Sequence, residues 1–276
     1  MEYKTIRGLK IPALGIGTWG MGGKFEPDTT KKNELISVLK EAIRLGITHI
    51  DTAEVYGHGF TEELVGEAIQ GFTRNDLFIT SKLWNTHLTR DDAMTALQQT
   101  LRRLRTDYLD LYLIHRPSLG MNLEGTMGAL EHLFEQRLIR GIGVSNFTRN
   151  QMLEAQRYLK KTNIVAVQDE FNLLTRNTDS LDYCKDNDAL FIAYRPLASG
   201  KLAKPGIRLL DDLSQKYEKS QAQIALNWIL NKPNTVTIPK SASIDHVKEN
   251  LGALGWTMDR ADYAALDTMG FTRATQ

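Results

Sequence analysis

Four side chains of complementary chemistry stand at or just behind short apolar runs: Asp51 and then Tyr56 after residues 47–51, Lys82 after 77–81, and His115 at the end of 108–115. A phenol can donate a proton, but with an unperturbed pKa of about 10 it is a sluggish acid near neutrality. A neighbouring ammonium favours the phenolate and is expected to lower that pKa, each unit being worth about 1.36 kcal/mol. A carboxylate beside the ammonium would keep it charged and in place, and an imidazole could hydrogen-bond whatever polar atom the phenol serves. The same lysine, if uncharged, would be a nucleophile able to form a Schiff base. Taken singly, each residue has an ordinary explanation: a strand-end Asp caps the next helix, Tyr56 plugs a loop, Lys82 is solvated, and His115 is a hydrogen-bonded rim histidine. Taken together they are harder to dismiss, because three neighbouring strand ends would bring them to one mouth.

The elements that must position them are legible as an alternation. Short β-branched or apolar runs at 14–17, 47–51, 77–81, 108–115, 139–144, 164–168, 190–194 and 235–239 read as eight strands. Between them lie stripes such as Leu35, Val38, Leu39, Ala42 and Ile43, or Met94, Leu97, Leu101 and Leu104, spaced as one apolar face of a helix. Eight units in 276 residues leave about 34 residues each, close to the roughly 30 of a βαβ element. The expected fold is therefore α/β, a (β/α)8 TIM barrel, with chemistry at the carboxyl ends of its strands. No Pro/Ser-rich linker or composition shift divides the chain, so residues 1–276 are read as one domain. Residues 3–7 and 10–12, flanking Gly8-Leu9, suggest a short N-terminal β-hairpin across one barrel mouth.

Composition narrows the function classes. The 34 Lys and Arg against 33 Asp and Glu give a net charge of +1 with no block of like charge, which offers no electrostatic handle for nucleic acid or an anionic membrane. The single Cys184 excludes an internal disulfide and a Cys-rich metal site, and it is expected to be inert. The six histidines include no His-x-His strand end or paired ligand spacing, so no metal is expected. The start of the chain reaches charge before any apolar stretch, and no run of about 18 apolar residues occurs. A cytoplasmic protein is expected, with a monomer favoured.

Residues 15–20, Gly-Ile-Gly-Thr-Trp-Gly, match the glycine spacing of the dinucleotide fingerprint after a strand. That motif works only where the turn opens directly into a helix whose amides face a pyrophosphate. Here Met21-Gly22-Gly23-Lys24-Phe25-Glu26-Pro27 follows, which is a loop, and the fingerprint is rejected.

Six ordered motifs carry a resemblance instead: Gly17-Thr18-Trp19; Asp51-Thr52-Ala53-x-x-Tyr56-Gly57; Ser81-Lys82-Leu83-Trp84; Leu113-Ile114-His115-Arg116-Pro117; Gly141 to Phe147; and Ile238-Pro239-Lys240-Ser241 leading to Glu249-Asn250. The sequence resembles the aldo-keto reductases over nearly its full length, and the short segment 252–276 resembles the compact microbial members. The resemblance implies a barrel that binds an extended nicotinamide dinucleotide and reduces aldehydes or ketones to alcohols. In the roles it implies, Tyr56 is the general acid, assisted by Lys82 and Asp51, while His115 holds the carbonyl oxygen. It also places Gly17, Thr18 and Trp19 at the cofactor, Ser145, Asn146 and Gln168 at its carboxamide, and Tyr194 against its ring. Arg195, Leu197 and Ser199 lie in the pyrophosphate loop, Lys240 and Ser241 at the adenosine 2′-phosphate, and Glu249 and Asn250 at the adenine. Ser145-Asn146 also reads as a helix N-cap before Thr148.

Departures from the family pattern sharpen three expectations. His246 stands where many members carry Arg, and a histidine of reference pKa about 6.5 is mostly neutral at pH 7, so NADPH is expected as cofactor with a weakened preference and NADH possible. Trp19, Trp84 and Phe25 are candidate apolar walls of an open pocket for a small-molecule carbonyl substrate. Arg116 and Arg195 replace an aromatic and a small residue; each is either a solvated rim residue or a fork for cofactor phosphate or an anionic substrate group. Two rival readings stay open from sequence, a Lys82 Schiff-base aldolase and a nicotinamide-binding regulatory subunit with negligible turnover.

Overall fold

A computed structural model describes residues 1–270 together with the backbone of Thr272 and Arg273. Phe271 and residues 274–276, the end of the short final segment, lie outside the described residues. An antiparallel hairpin opens the chain, β1 (Tyr3–Ile6) with β2 (Leu9–Pro12). Its turn is Arg7-Gly8, one residue earlier than expected, because both residues take positive φ (47° and 81°) and that pair matches the twist of a two-residue hairpin. Leu9 belongs to the second strand.

Eight parallel strands follow: β3 (Gly15–Gly17), β4 (His49–Asp51), β5 (Phe78–Leu83), β6 (Leu111–Ile114), β7 (Ile142–Ser145), β8 (Ile164–Glu170), then β10 (Leu190–Tyr194) and β11 (Thr235–Thr237), with a two-residue β9 (Thr175–Arg176) outside the series. They pair in chain order, and the barrel closes where Leu14 bridges Thr237 and Gly17 bridges Lys240. The expected eight strands are all present, β10 with the expected ends and the other seven with one or both ends shifted. β11 stops before Pro239, which has no N–H to give a ladder. β6 loses 108–110, whose Tyr108 carbonyl is taken by Arg74 and whose Asp110 receives both Arg74 and Arg140. β5 runs on to Leu83, so Lys82 lies inside a strand.

Helices α1 (Lys32–Arg44), α2 (Phe60–Ala68), α3 (Arg90–Leu104), α4 (Leu123–Glu135), α5 (Arg149–Tyr158), α6 (Thr178–Asp186), α7 (Arg208–Tyr217), α8 (Gln221–Leu230), α9 (Ile244–Leu251) and α10 (Arg260–Thr268) surround the strands. The α1 stripe is buried as its spacing requires, and in α3 Leu97 and Leu104 are buried while Met94 and Leu101 pack partly against the core. The loop after β3 holds no helix before α1 at Lys32.

Two cores result from strand alternation. Ile50, Ile79, Tyr112 and Ile114 point outward to the helices. Inside the barrel, Phe78, Leu111, Leu113, Val165, Leu190, Ile192 and Val236 pack with Ile6 and Ile11 of the hairpin, which plugs the amino-terminal mouth. Full burial of Ile11 contributes about 1.5–3 kcal/mol to that plug. A cavity of about 870 Å³ opens under the hairpin, but its arginines are engaged, Arg7 with Asp188 and Arg140 with Asp110. The inward positions at the other end are polar, and there the chemistry is assembled.

Candidate active site

Inward alternation places His49 and Asp51 on β4 and Thr80 and Lys82 on β5, side by side through the pairing of Asp51 with Thr80. Lys82 Nζ lies 2.5 Å from Asp51 Oδ1, 2.8 Å from the Thr52 carbonyl and 3.4 Å from the Tyr56 hydroxyl. Lys82 is fully buried and Asp51 nearly so. The other Asp51 oxygen accepts from Gln168 Nε2 at 2.7 Å. Below, His49 Nε2 meets Thr80 Oγ1 at 3.2 Å, filling the barrel under the ion pair with a neutral imidazole whose pKa burial lowers to about 3.

Tyr56 is aimed inward by a tight turn that follows Asp51. Gly57 has φ 54°, and a Cβ there would sit 2.6 Å from the Gly22 carbonyl, so only glycine fits. Gly17 is required in the same way, since a Cβ would meet the Ile238 carbonyl at 2.7 Å where the barrel closes. Thr18 gives both its N–H and its hydroxyl to the Asp51 carbonyl and is fully buried. Its side chain therefore fixes the Asp51 backbone instead of facing the mouth. Trp19 packs edge-on to Tyr56 at 4.8 Å, and Phe25 to Trp19 at 5.4 Å.

The electrostatics differ from expectation in one respect. Burial raises the Tyr56 phenol above its ordinary value of 10 despite the opposing pull of Lys82. An ammonium alone suggests the opposite sign, but desolvation of a phenolate outweighs it. Burial also opposes the charge on Lys82, yet Asp51 and Tyr56 more than offset that and hold its pKa above the usual lysine value. A permanently protonated amine is no Schiff-base nucleophile. His115 is driven well below its ordinary pKa by burial, with Lys82 and Arg116 adding to the effect, so it presents a neutral imidazole. Its ring lies 5.6 Å from that of Tyr56 and 5.1 Å from Trp84.

Beside these four, β7, β8 and β10 bring the expected carboxamide residues into one network. Asn146 Nδ2 gives to the His115 carbonyl and to Ser145 Oγ, both at 2.9 Å, and its Oδ1 accepts from Tyr194 at 2.8 Å. Asn146 has φ 60° and is held there by its N–H, which donates to Asp169 Oδ1 at 2.9 Å. Ser145-Asn146 is not the helix cap: α5 is capped by Thr148, whose hydroxyl and Gln151 form a capping box. Tyr194 is part-exposed, and the loop after it carries positive φ at Arg195, Ala198, Ser199 and Gly200. Arg195 binds Glu170 at 3.2 Å and Ser199 Oγ at 2.9 Å, and Leu197 packs partly against the core.

At the last strand, Ser241 and Asn250 are buried and bonded to one another at 2.9 Å. Lys240 and His246 are exposed, and Glu249 is half-buried on α9.

Three contributors escape a sequence reading. Glu54, nearly buried, accepts the Trp84 N–H at 2.5 Å and His87 Nδ1 at 3.1 Å, fixing the loop that carries Trp84. Glu62, fully buried, anchors Ser81 at 2.5 Å and Arg103 at 2.7 Å behind Lys82. Asp169 receives Asn177, Ser180 and Asn146, and burial raises its pKa to about 7. The only local hint was a carboxylate inside or beside an apolar run. Buried Cys184 donates to the Leu190 carbonyl.

A parallel (β/α)8 barrel with a buried Asp-Lys-Tyr chain and a neutral histidine at the carboxyl mouth defines a class of oxidoreductase architecture. The chain belongs to the aldo/keto reductase family, whose sequence model matches residues 13–270. It is 34% identical to methylglyoxal reductase YeaE of Escherichia coli (strain K12) over 97% of this chain and 95% of that one. Its fold matches a thermostable aldo-keto reductase, Tm1743, crystallised with the inhibitor epalrestat (TM-score 0.93, 44% identity, covering 98% and 100% of the chains). It also matches an aldo-keto reductase from Klebsiella pneumoniae in complex with NADPH (TM-score 0.86, 33% identity, covering 97% and 95%).

Proposed function

We propose that this chain is an NADPH-dependent reductase of small aldehydes and ketones, with NADH as a poorer cofactor, working as a cytoplasmic monomer whose residues 1–276 form one catalytic domain. The observation that carries the proposal is the buried chain Asp51–Lys82–Tyr56, with its phenol at the carboxyl mouth next to the neutral His115. The nicotinamide-bound relative and the residues along β7 to β11 support the cofactor. Amide and hydroxyl groups of Ser145, Asn146 and Gln168 suit a carboxamide, the part-exposed Tyr194 ring suits stacking, and Arg195, Ser199 and Lys240 suit phosphates. Ser241 and Asn250 prepare the far end for the adenosine, with Glu249 and His246 beside them. When bound, the dinucleotide supplies a hydride to the carbonyl carbon.

The chain's own groups handle the oxygen. His115, uncharged, donates one N–H to the carbonyl oxygen and fixes it beside Tyr56. As negative charge develops there, Tyr56 transfers its phenolic proton, and Lys82 stabilises the phenolate left behind. Asp51 keeps Lys82 charged, and Asp51 is held in position by Gln168 at its carboxylate and by Thr18 at its backbone carbonyl. A phenol above its ordinary pKa stays protonated throughout the neutral range, and the Lys82 ammonium beside it opposes that rise and favours loss of the proton as charge builds on the carbonyl oxygen. Trp19, Trp84 and Phe25 wall the open mouth, Trp84 being fixed through Glu54.

The test is NADPH consumption followed by absorbance against a panel of neutral aldehydes and ketones, repeated with NADH. Turnover with NADPH exceeding that with NADH is expected; tight NADPH binding with no turnover on any of them would favour a regulatory subunit.

A further inference from the structure

We propose that Arg116 selects carbonyl substrates that carry a carboxylate remote from the reacting carbon, an inference that rests on the carbonyl-reduction reading above. Arg116 and Arg195 are alike in sequence, each following the residue that closes an inward run. The structure separates them. Arg195 follows β10 and is already engaged by Glu170 and Ser199. Arg116 follows β6, is exposed, and has no carboxylate pairing with it among the described residues; its guanidinium lies 5.6 Å above the Trp84 ring.

Strand order then decides what each can reach. Taken round the barrel, Trp19, Tyr56, Trp84 and His115-Arg116 follow the first four strands. Ser145, Gln168, Tyr194-Arg195 and Lys240 stand at or after the other four. Arg116 follows the fourth strand and Lys240 follows the eighth, so the two cations face each other across the mouth. Of the phosphate residues, Lys240 is therefore the one opposite Arg116, while the charge of Arg116 acts on Tyr56, His115 and Tyr194, so its fork serves the space over the reacting groups, where substrate enters. Its place relative to the chemistry is fixed by Trp84: the indole has the guanidinium over its face and the edge of the His115 ring against it. A substrate with its carbonyl oxygen between Tyr56 and His115 and a carboxylate extending past Trp84 meets a guanidinium, which suits a planar anion in bidentate fashion. Because the site is exposed, the preference is salt-sensitive.

The test compares 4-carboxybenzaldehyde with its methyl ester, each rate divided by that of borohydride reduction of the same aldehyde to correct for the more electrophilic carbonyl of the ester, using wild type, Arg116→Gln and Arg116→Lys at saturating NADPH. The wild type is expected to prefer the acid by about tenfold in kcat/KM, mostly through KM, and to lose much of that preference in 0.5 M salt. Arg116→Gln removes the preference, Arg116→Lys keeps part of it, and NADPH dissociation constants do not change. An acid-to-ester ratio within twofold of one in the wild type, or a ratio that Arg116→Gln leaves intact, overturns the proposal. So does a weakened NADPH affinity in Arg116→Gln without a change of ratio, which assigns the arginine to cofactor phosphate. Failure of the wild type to reduce even the ester overturns the carbonyl-reduction reading itself.

Discussion

Removing either partner of the Asp51–Lys82 pair should be worse than removing both. At 2.5 Å, with both side chains buried, the attraction is on the order of 7 kcal/mol at an effective dielectric of about 20. Desolvation of the two groups offsets much of this, so the net worth of the intact pair is small. Lys82→Met strands a buried carboxylate that keeps only Gln168 as a side-chain donor, and Asp51→Asn strands a buried ammonium that keeps the Thr52 carbonyl and Tyr56. Each single variant should lose about 3–5 kcal/mol of stability, a fall in Tm on the order of 10 °C for a chain of this size. The double variant Asp51→Asn/Lys82→Met should recover at least half of one single loss. Urea unfolding of all four proteins by tryptophan fluorescence reads this cycle. Additive losses, giving a double variant less stable than either single, would refute the claim that the charges are held by one another.

The remaining expectations concern protonation, position and cofactor choice. Because the folded-state pKa of Asp169 is raised to about 7, the folded state binds more protons than the unfolded chain between the unfolded value near 4 and that pKa. Stability contributed through this group therefore falls as pH rises through that window. Relative to Asp169→Asn, wild type should lose about 3 kcal/mol between pH 5 and pH 8 in urea unfolding; a pH-independent difference contradicts it. His115 is neutral in the site, so kcat for a neutral aldehyde should show no inflection between pH 6 and 8 that His115→Gln abolishes. Glu54→Ala frees the Trp84 N–H and His87 and should raise KM for aromatic aldehydes several-fold while changing kcat by less than threefold; an equal fall in kcat points to general damage instead. His246→Arg should raise the NADPH over NADH ratio of kcat/KM by about tenfold through a charge-assisted phosphate contact.

How much of this was legible in the sequence depended on whether the cause was local. Asp51, Lys82 and His115 could be picked out because a polar residue ending an apolar run points into a barrel mouth, and the period of two does the rest. The eight-strand count survived for the same reason. Strand ends were misread where distant groups decide them, as with Arg74 taking the Tyr108 carbonyl. The cap at Thr148 was missed by two residues because Asn146, which looks like a cap, is held in a left-handed conformation by Asp169, 23 residues away. Gln168 reaching Asp51 across 117 residues has no sequence signal at all. The sign of the Tyr56 shift was also out of reach, since the charge of Lys82 is visible in the sequence and the burial that outweighs it is not.

In this mechanism the Tyr56 phenol delivers the proton to the carbonyl oxygen. Tyr56→Phe keeps the ring against Trp19 and His115 and removes only the hydroxyl, so its kcat with NADPH and a small neutral aldehyde tests the claim directly. A fall of at least about 100-fold, with the NADPH dissociation constant within twofold of wild type, is the predicted result. A Tyr56→Phe protein that reduces the aldehyde at a rate near wild type would contradict it.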